Sequence, residues 1–141
     1  MGRAVTFDDI EPGTQVGTLI HTKGFLFDNF VLIYGNRTGI VSPPAALMTD
    51  LKLSSLFSDD TTLFDLVSLD MTAVDTDVSV TMQGITYSSE SIFHRVVLLA
   101  NTVTHVVSTK LINLEQVDIT TDGGMFVMDN VALSRRGYAS V

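Results

Sequence analysis

The chain has 141 residues, sixteen Asp and Glu against eight Lys and Arg, a formal net charge of -8, and no cysteine. That length suits a single domain over 1–141 with one real core. The acid excess argues against a nucleic-acid partner, whose phosphates reward clustered Lys and Arg, and the missing cysteines exclude a disulfide framework and a thiol nucleophile.

In chain order, the first predicted strand is Ala4–Phe7, followed by the carboxylate pair Asp8-Asp9. Met1-Gly2-Arg3-Ala4-Val5-Thr6 formally matches an N-myristoylation pattern, but the same residues begin a strand, and that reading outweighs lipidation. A second strand is expected over Gly24–Tyr34. Pro43-Pro44 then forbids regular pairing. The stretch from Ala45 through Leu47, Met48, Leu51 and Leu53 shows no strict alternation, so a short helix near 45–57, or an irregular apolar loop, is expected there. Further strands are predicted at Leu63–Val74, Asp77–Ile85, Ile92–Ala100, Thr104–Leu111, Gln116–Thr121 and Met125–Leu133, and residues 134–141 read as a tail. Asp75-Thr76 and Asp122-Gly123-Gly124 are turn chemistry, because Asp bonds its own backbone and Gly accepts a positive φ. About eight strands with short turns make an all-β, two-sheet antiparallel sandwich of jelly-roll type.

Two predicted strands are apolar on both faces, beyond Asn29 in the second and over Val96-Val97-Leu98-Leu99 later. A two-layer sandwich buries only one face of each sheet. The surplus is to be covered either by loops or by another copy of the chain, and the second makes a homo-oligomer the expected partner. No run of about 18 apolar residues exists, so no membrane-spanning helix is expected.

The closing stretch Phe126-Val127-Met128-Asp129-Asn130-Val131 carries one carboxylate on an apolar strand. Strict alternation puts Val127, Asp129, Val131 and Leu133 on one face. An ionised Asp there is costly unless compensated, and a bound cation is the simplest compensation. If the first and last strands meet, Asp8 and Asp9 would join Asp129 in an oxygen-lined site.

An early Phe-Asp and a closing aromatic-Val-Met-Asp-Asn-Val strand resemble the galactose-binding-like jelly rolls, among them many carbohydrate-binding modules and PEP-CTERM-type secreted domains. Gly24–Leu32 looks like their second strand and Asn113–Ile119 like the strand before the closing hairpin. The resemblance implies a structural calcium ion held by Asp8 or Asp9 and by Asp129, with backbone carbonyls adding oxygens toward the six to eight that calcium prefers. It also implies an extracellular or cell-surface location, with the cytoplasm as alternative. The chain departs from the pattern in having no Trp and a short loop, Gly35-Asn36-Arg37-Thr38-Gly39.

That loop is the candidate glycan contact. Tyr34 offers a ring to stack, and Asn36 and Arg37 offer donors for hydroxyls; Asn36-Arg37-Thr38 is also a glycosylation sequon. Asp59-Asp60 and Asp75-Thr76-Asp77 read as solvated turns, lacking the alternating oxygens and terminal Glu of an EF-hand. His21, His94 and His105 fit no zinc spacing. No Gly-x-Ser-x-Gly elbow and no phosphate loop is present, so no enzyme is expected. The function expected is a non-catalytic, lectin-like carbohydrate-binding domain. The alternative is a self-assembling structural protein, filament or oligomer, built on the same calcium-stabilised sandwich.

Overall fold

The computed structural model describes residues 3–5, 19–22, 24–28, 30–34, 45–49 and 53–138, and every regular element within them is a strand. In chain order these are β1 (Arg3–Val5), β2 (Leu19–Thr22), β3 (Phe25–Asp28), β4 (Val31–Tyr34), β5 (Ala45–Thr49), β6 (Leu53–Ser58), β7 (Thr62–Ala73), β8 (Val78–Thr86), β9 (Ser91–Leu98), β10 (Thr104–Val107), β11 (Leu114–Thr121) and β12 (Phe126–Tyr138). Their pairings are all antiparallel and define two layers. The first runs β2-β3-β6-β11-β8-β9. The second runs β10-β7-β12, and the far side of β12 is shared between β1 and β5, which leads on to β4. The layers join where Leu114 of β11 pairs with Phe64 of β7. The expected all-β sandwich is therefore what forms.

Alternation explains how the core is filled. Along β8, Val78, Val80 and Met82 are buried while Ser79 is exposed and Thr81 and Gln83 are half-buried. Val117 and Ile119 do the same on β11. Facing them from the second layer are Leu66, Leu69, Met71 and Ala73 of β7 and Phe126, Met128, Val131 and Leu133 of β12. Phe25 meets Phe64 edge to face at 5.4 Å between ring centroids, near the corner where the layers join.

Three sequence expectations are corrected. The short helix near 45–57 does not form; the segment supplies β5 and β6, which pair with β4 and β12 and with β3 and β11 respectively. Apolar residues without strict alternation look helical, but ladder bonds to distant strands decide the outcome. The strand expected over Gly24–Tyr34 is two strands in different layers, β3 and β4. Phe30 lies between them, fully buried and edge to face with Phe27 at 6.2 Å, so the chain's apolar character there serves a crossing between layers. The segment expected as a tail from 134 is, as far as Tyr138, the second half of β12, paired with β7.

That half of β12 carries a cross-link. Arg135 donates from Nη1 to Asp60 Oδ1 at 2.9 Å and from Nη2 to the Gly24 carbonyl at 2.8 Å, with its guanidinium 4.8 Å from the centre of the Phe25 ring. Gly24 has φ +81°, and a Cβ there would come within 2.0 Å of Nη2, so the position requires glycine. Asp60 also accepts from the Thr62 hydroxyl, from Ser58 Oγ at 2.9 Å and from the Thr62 amide at 3.1 Å. The Thr62 hydroxyl is the largest influence in holding the Asp60 carboxyl well below the usual carboxylate range, with Ser58, the Thr62 amide and Arg135 assisting. A depressed folded-state pKa contributes stability above the unfolded value of about 3.9 that is lost as pH falls through the folded value. An NMR titration should place the Asp60 midpoint well below that of an exposed Asp, and Thr62→Val should raise it. A midpoint near 3.9 in the unaltered protein would refute this account.

Candidate functional site

The outer face of the first layer carries a continuous line of side chains. In register across five strands, Phe93 of β9 pairs with Gln83 of β8, Gln83 with Asp118 of β11, Asp118 with Ser55 of β6, and Ser55 with Asp28 of β3. Residues directly opposed in an antiparallel ladder share a face, and the alternating inward residues of β8 and β11 fix which face this is. A parallel line runs Ser91, Ile85, Gln116, Phe57 and Leu26. The surface is thus a grid of two carboxylates, amides and hydroxyls with an aromatic ring toward each end. Phe93 is 50% exposed and Phe57 half-buried. Three inter-strand spacings and a two-residue rise put the rings roughly 15 Å apart.

Asp118 is held at the centre of the grid. Ser55 Oγ donates to its Oδ1 at 2.9 Å, and Gln116 Nε2 donates to the same oxygen. Among the described residues Oδ2 has no hydrogen-bond partner, so one carboxylate oxygen faces outward to accept from a ligand. Gln83 Nε2 donates to Ser91 Oγ at 3.0 Å, which orients that amide. Chemically, the face can accept and donate hydrogen bonds to a polyol while rings cover its C–H faces, a few placed polar groups among apolar ones.

Beside this face lies a groove. Among the described residues, β9 pairs only with β8 and β10 only with β7, so each layer ends in an open edge on the same side. A groove of about 280 Å³ there is lined by Phe93, His94, Arg95, Val107, Thr109 and Lys110.

Of the sequence-predicted residues, the structure describes Tyr34 and Asp129, and both lie away from this face. Tyr34 is in β4, at the far end of the other layer, where its backbone pairs with Ala45. Asn36, Arg37, Asp8 and Asp9 lie outside the described residues. Asp129 is fully buried, but the alternation expected around it is broken. Asn130 takes φ +49°, and the β12–β7 register shifts after Asp129. This bulge leaves Val131 and Leu133 in the core with Phe126 and Met128, while Asp129 falls on the opposite face with Val127. Asp129 Oδ1 accepts from the Asn130 amide at 2.9 Å and stands opposite Asp70 of β7. Asp70 in turn accepts from Asn130 Nδ2 at 3.0 Å and pairs with His105 Nδ1 at 2.7 Å. First and last strands do meet: β1 pairs with β12, Val5 opposite Val131. Among the described residues no group of three or more His, Cys, Asp or Glu is positioned to hold a metal, and no helix is long and apolar enough to cross a membrane.

The grid on the first layer was missed by sequence reasoning, which looked to a Gly-bounded loop. The available signal was alternation, with Gln116, Asp118 and Thr120 interleaving Val117 and Ile119.

Neither a protein-family model nor a curated protein matches the chain by sequence. Solved structures do match it in shape. A family 29 carbohydrate-binding module complexed with mannohexaose aligns with a TM-score of 0.56 at 10% identity, over 98% of this chain and 93% of that one. An exo-β-agarase aligns with a TM-score of 0.53 at 10% identity over 86% of this chain and 24% of its own, and a second agarase with 0.53 at 8% identity over 98% and 25%. The chain thus spans about a quarter of the length of the agarases it matches. At these identities the likeness is one of fold, an all-β sandwich.

Proposed function

We propose that this is a non-catalytic carbohydrate-binding domain that holds a glycan chain across the outer face of its first layer. The observation that carries the reading is the in-register line from Phe93 through Gln83, Asp118 and Ser55 to Asp28. The fold likeness to a module whose structure holds mannohexaose supports it, and so does the match over nearly all of that module but only a quarter of each agarase. Such a domain works where polysaccharide is met, outside the cell. Affinity electrophoresis or calorimetry against neutral β-glycans should detect binding. Asp118→Ala and Phe93→Ala should each weaken it by roughly tenfold or more, since a hydrogen bond to a charged group contributes about 1.5–3 kcal/mol. No binding to any glycan, or unchanged affinity in both variants, would refute the reading.

Calcium is the second part of the proposal. Buried Asp129, with Asp70 opposite and the Thr72 hydroxyl two residues along β7, offers hard oxygen donors; Thr72 Oγ1 is buried and has no hydrogen-bond partner among the described residues. That donor chemistry fits calcium. Asp129 and Asp70 would hold the ion, with Asp8 or Asp9 as further candidates, and the ion would supply charge compensation at the junction of first and last strands. A chelator should lower the melting temperature by roughly 5–10 °C relative to calcium at ~100 times its Kd, and Asp129→Ala should remove that difference. Equal melting temperatures with and without chelator in the unaltered protein would exclude the ion.

A second reading, self-association, is favoured by an apolar patch at one end of the β9–β10 side. Val97, Leu99 and Val103 are 67%, 56% and 50% exposed there. Light scattering should give a mass above the monomer that Val97→Asp returns to 15.3 kDa; a strict monomer would rule this out.

A further inference from the structure

We infer that the groove between β9 and β10 binds the anionic substituent of an acidic glycan, a uronate carboxylate or a sulfate ester, so that the domain prefers charged polysaccharide over its neutral counterpart. This rests on the glycan reading above and extends the same site.

The charge distribution is the first ground. In a chain with twice as many acids as bases, the basic side chains that the structure describes fall into two kinds. Arg135 and Arg136 are bound to Asp60 and Asp65. Arg95 and Lys110 make no ion pair among the described residues, and both line this one groove. His94 lies with them, and no acidic side chain is part of the lining. A strongly acidic protein that brings two uncompensated cations together has a local field opposite in sign to its net charge. That field attracts an anion.

The second ground is rigidity. Lys110 projects from a turn that Ser108 fastens. The buried Ser108 hydroxyl accepts from the amides of Lys110 and Leu111, each at 3.3 Å, and the Ser108 amide donates to the Val67 carbonyl at 2.9 Å. Arg95 sits on a regular strand opposite Thr81. Two cations on fixed backbone lose little freedom when an anion binds, and the Arg fork matches a carboxylate or sulfate through paired N–H donors.

Continuity is the third. Phe93 belongs to both features, ending the polar line on the outer face and walling the groove. A glycan crossing the strands from Asp118 past Gln83 reaches Phe93 and then Arg95 and Lys110. An acidic peptide or a nucleic acid would have use for the cations but none for the hydroxyl and amide grid, which is why a glycan is the favoured occupant.

The test is affinity electrophoresis and calorimetry on the full chain with neutral galactan, polygalacturonate, sulfated galactan, poly-glutamate and single-stranded DNA. The proteins compared are the unaltered chain, an Arg95→Gln/Lys110→Gln double variant and Asp118→Ala. The inference expects an acidic polysaccharide bound roughly tenfold or more tightly than the neutral one. The double variant should lose that preference while keeping its neutral-glycan affinity, and raising the salt should erode the preference. The polygalacturonate and sulfated-galactan arms separate carboxylate from sulfate. Equal binding of acidic and neutral chains, or a preference that survives the double variant, overturns this inference and leaves the glycan reading standing. Binding of poly-glutamate or DNA as tightly as of acidic glycan, insensitive to Asp118→Ala, overturns it in favour of a general anion surface. No binding to any polysaccharide defeats both.

Discussion

The sandwich depends on β12 and on one residue within it. This strand is paired with β7 from Phe126 to Tyr138 and accepts β5 and β1 on its other side. Because side chains alternate with a period of two, an unbroken strand would commit every second residue from Val127 onward to one face. Asn130 interrupts it in a left-handed conformation that Asn tolerates better than most residues. The phase changes there. Phe126 and Met128 point into the core before the interruption and Val131 and Leu133 after it. Asp129 is carried to the opposite face, beside Asp70. A strand can thus present apolar residues to the core along its whole length and still place a carboxylate in the middle. Asn130 also bonds both ends of the arrangement, its amide to Asp129 and its side chain to Asp70.

Much of the architecture was legible in the sequence because alternation and turn residues are local signals. Asp75 with φ +67° and Gly123 with φ +125° sit in the turns that their chemistry predicted. What failed to show was whatever depends on partners far away in the chain. Ala45, Leu47 and Met48 carry no strand pattern of their own; their pairing with β4 and β12 makes them a strand. Ser134, Arg135 and Arg136 look like the start of a tail until Asp60 and Asp65 are seen across from the two arginines, about seventy residues earlier in sequence. The polar grid was illegible for the same reason. Asp28, Ser55, Gln83, Phe93 and Asp118 form a line only through four registers, and no short motif contains any two of them. Asp129 was singled out correctly as unusual, but its face was assigned from an alternation that the bulge breaks.

The grid and the groove use different physics on adjoining surfaces. Asp118 is fixed in advance by Ser55 and Gln116, so a ligand that donates to its outward oxygen need not order it, and the cost of association is reduced accordingly. Arg95 and Lys110 act at longer range, through a field that salt screens over about 10 Å at moderate ionic strength. The first favours shape and hydroxyl placement, the second favours charge and speed of encounter. Their junction at Phe93 gives a ring that is walled on one side by cations and on the other by amides.

The strict alternation of β8 and β11 has a further consequence. Inward and outward residues on these strands answer to separate requirements, since Val80, Met82, Val117 and Ile119 fill the core while Thr81, Gln83, Asp118 and Thr120 touch almost nothing inside it. The outward set can be rewritten without repacking the interior. A single scaffold of this kind is a printing plate: the type on its surface can be reset for a new ligand while the block that holds it stays the same.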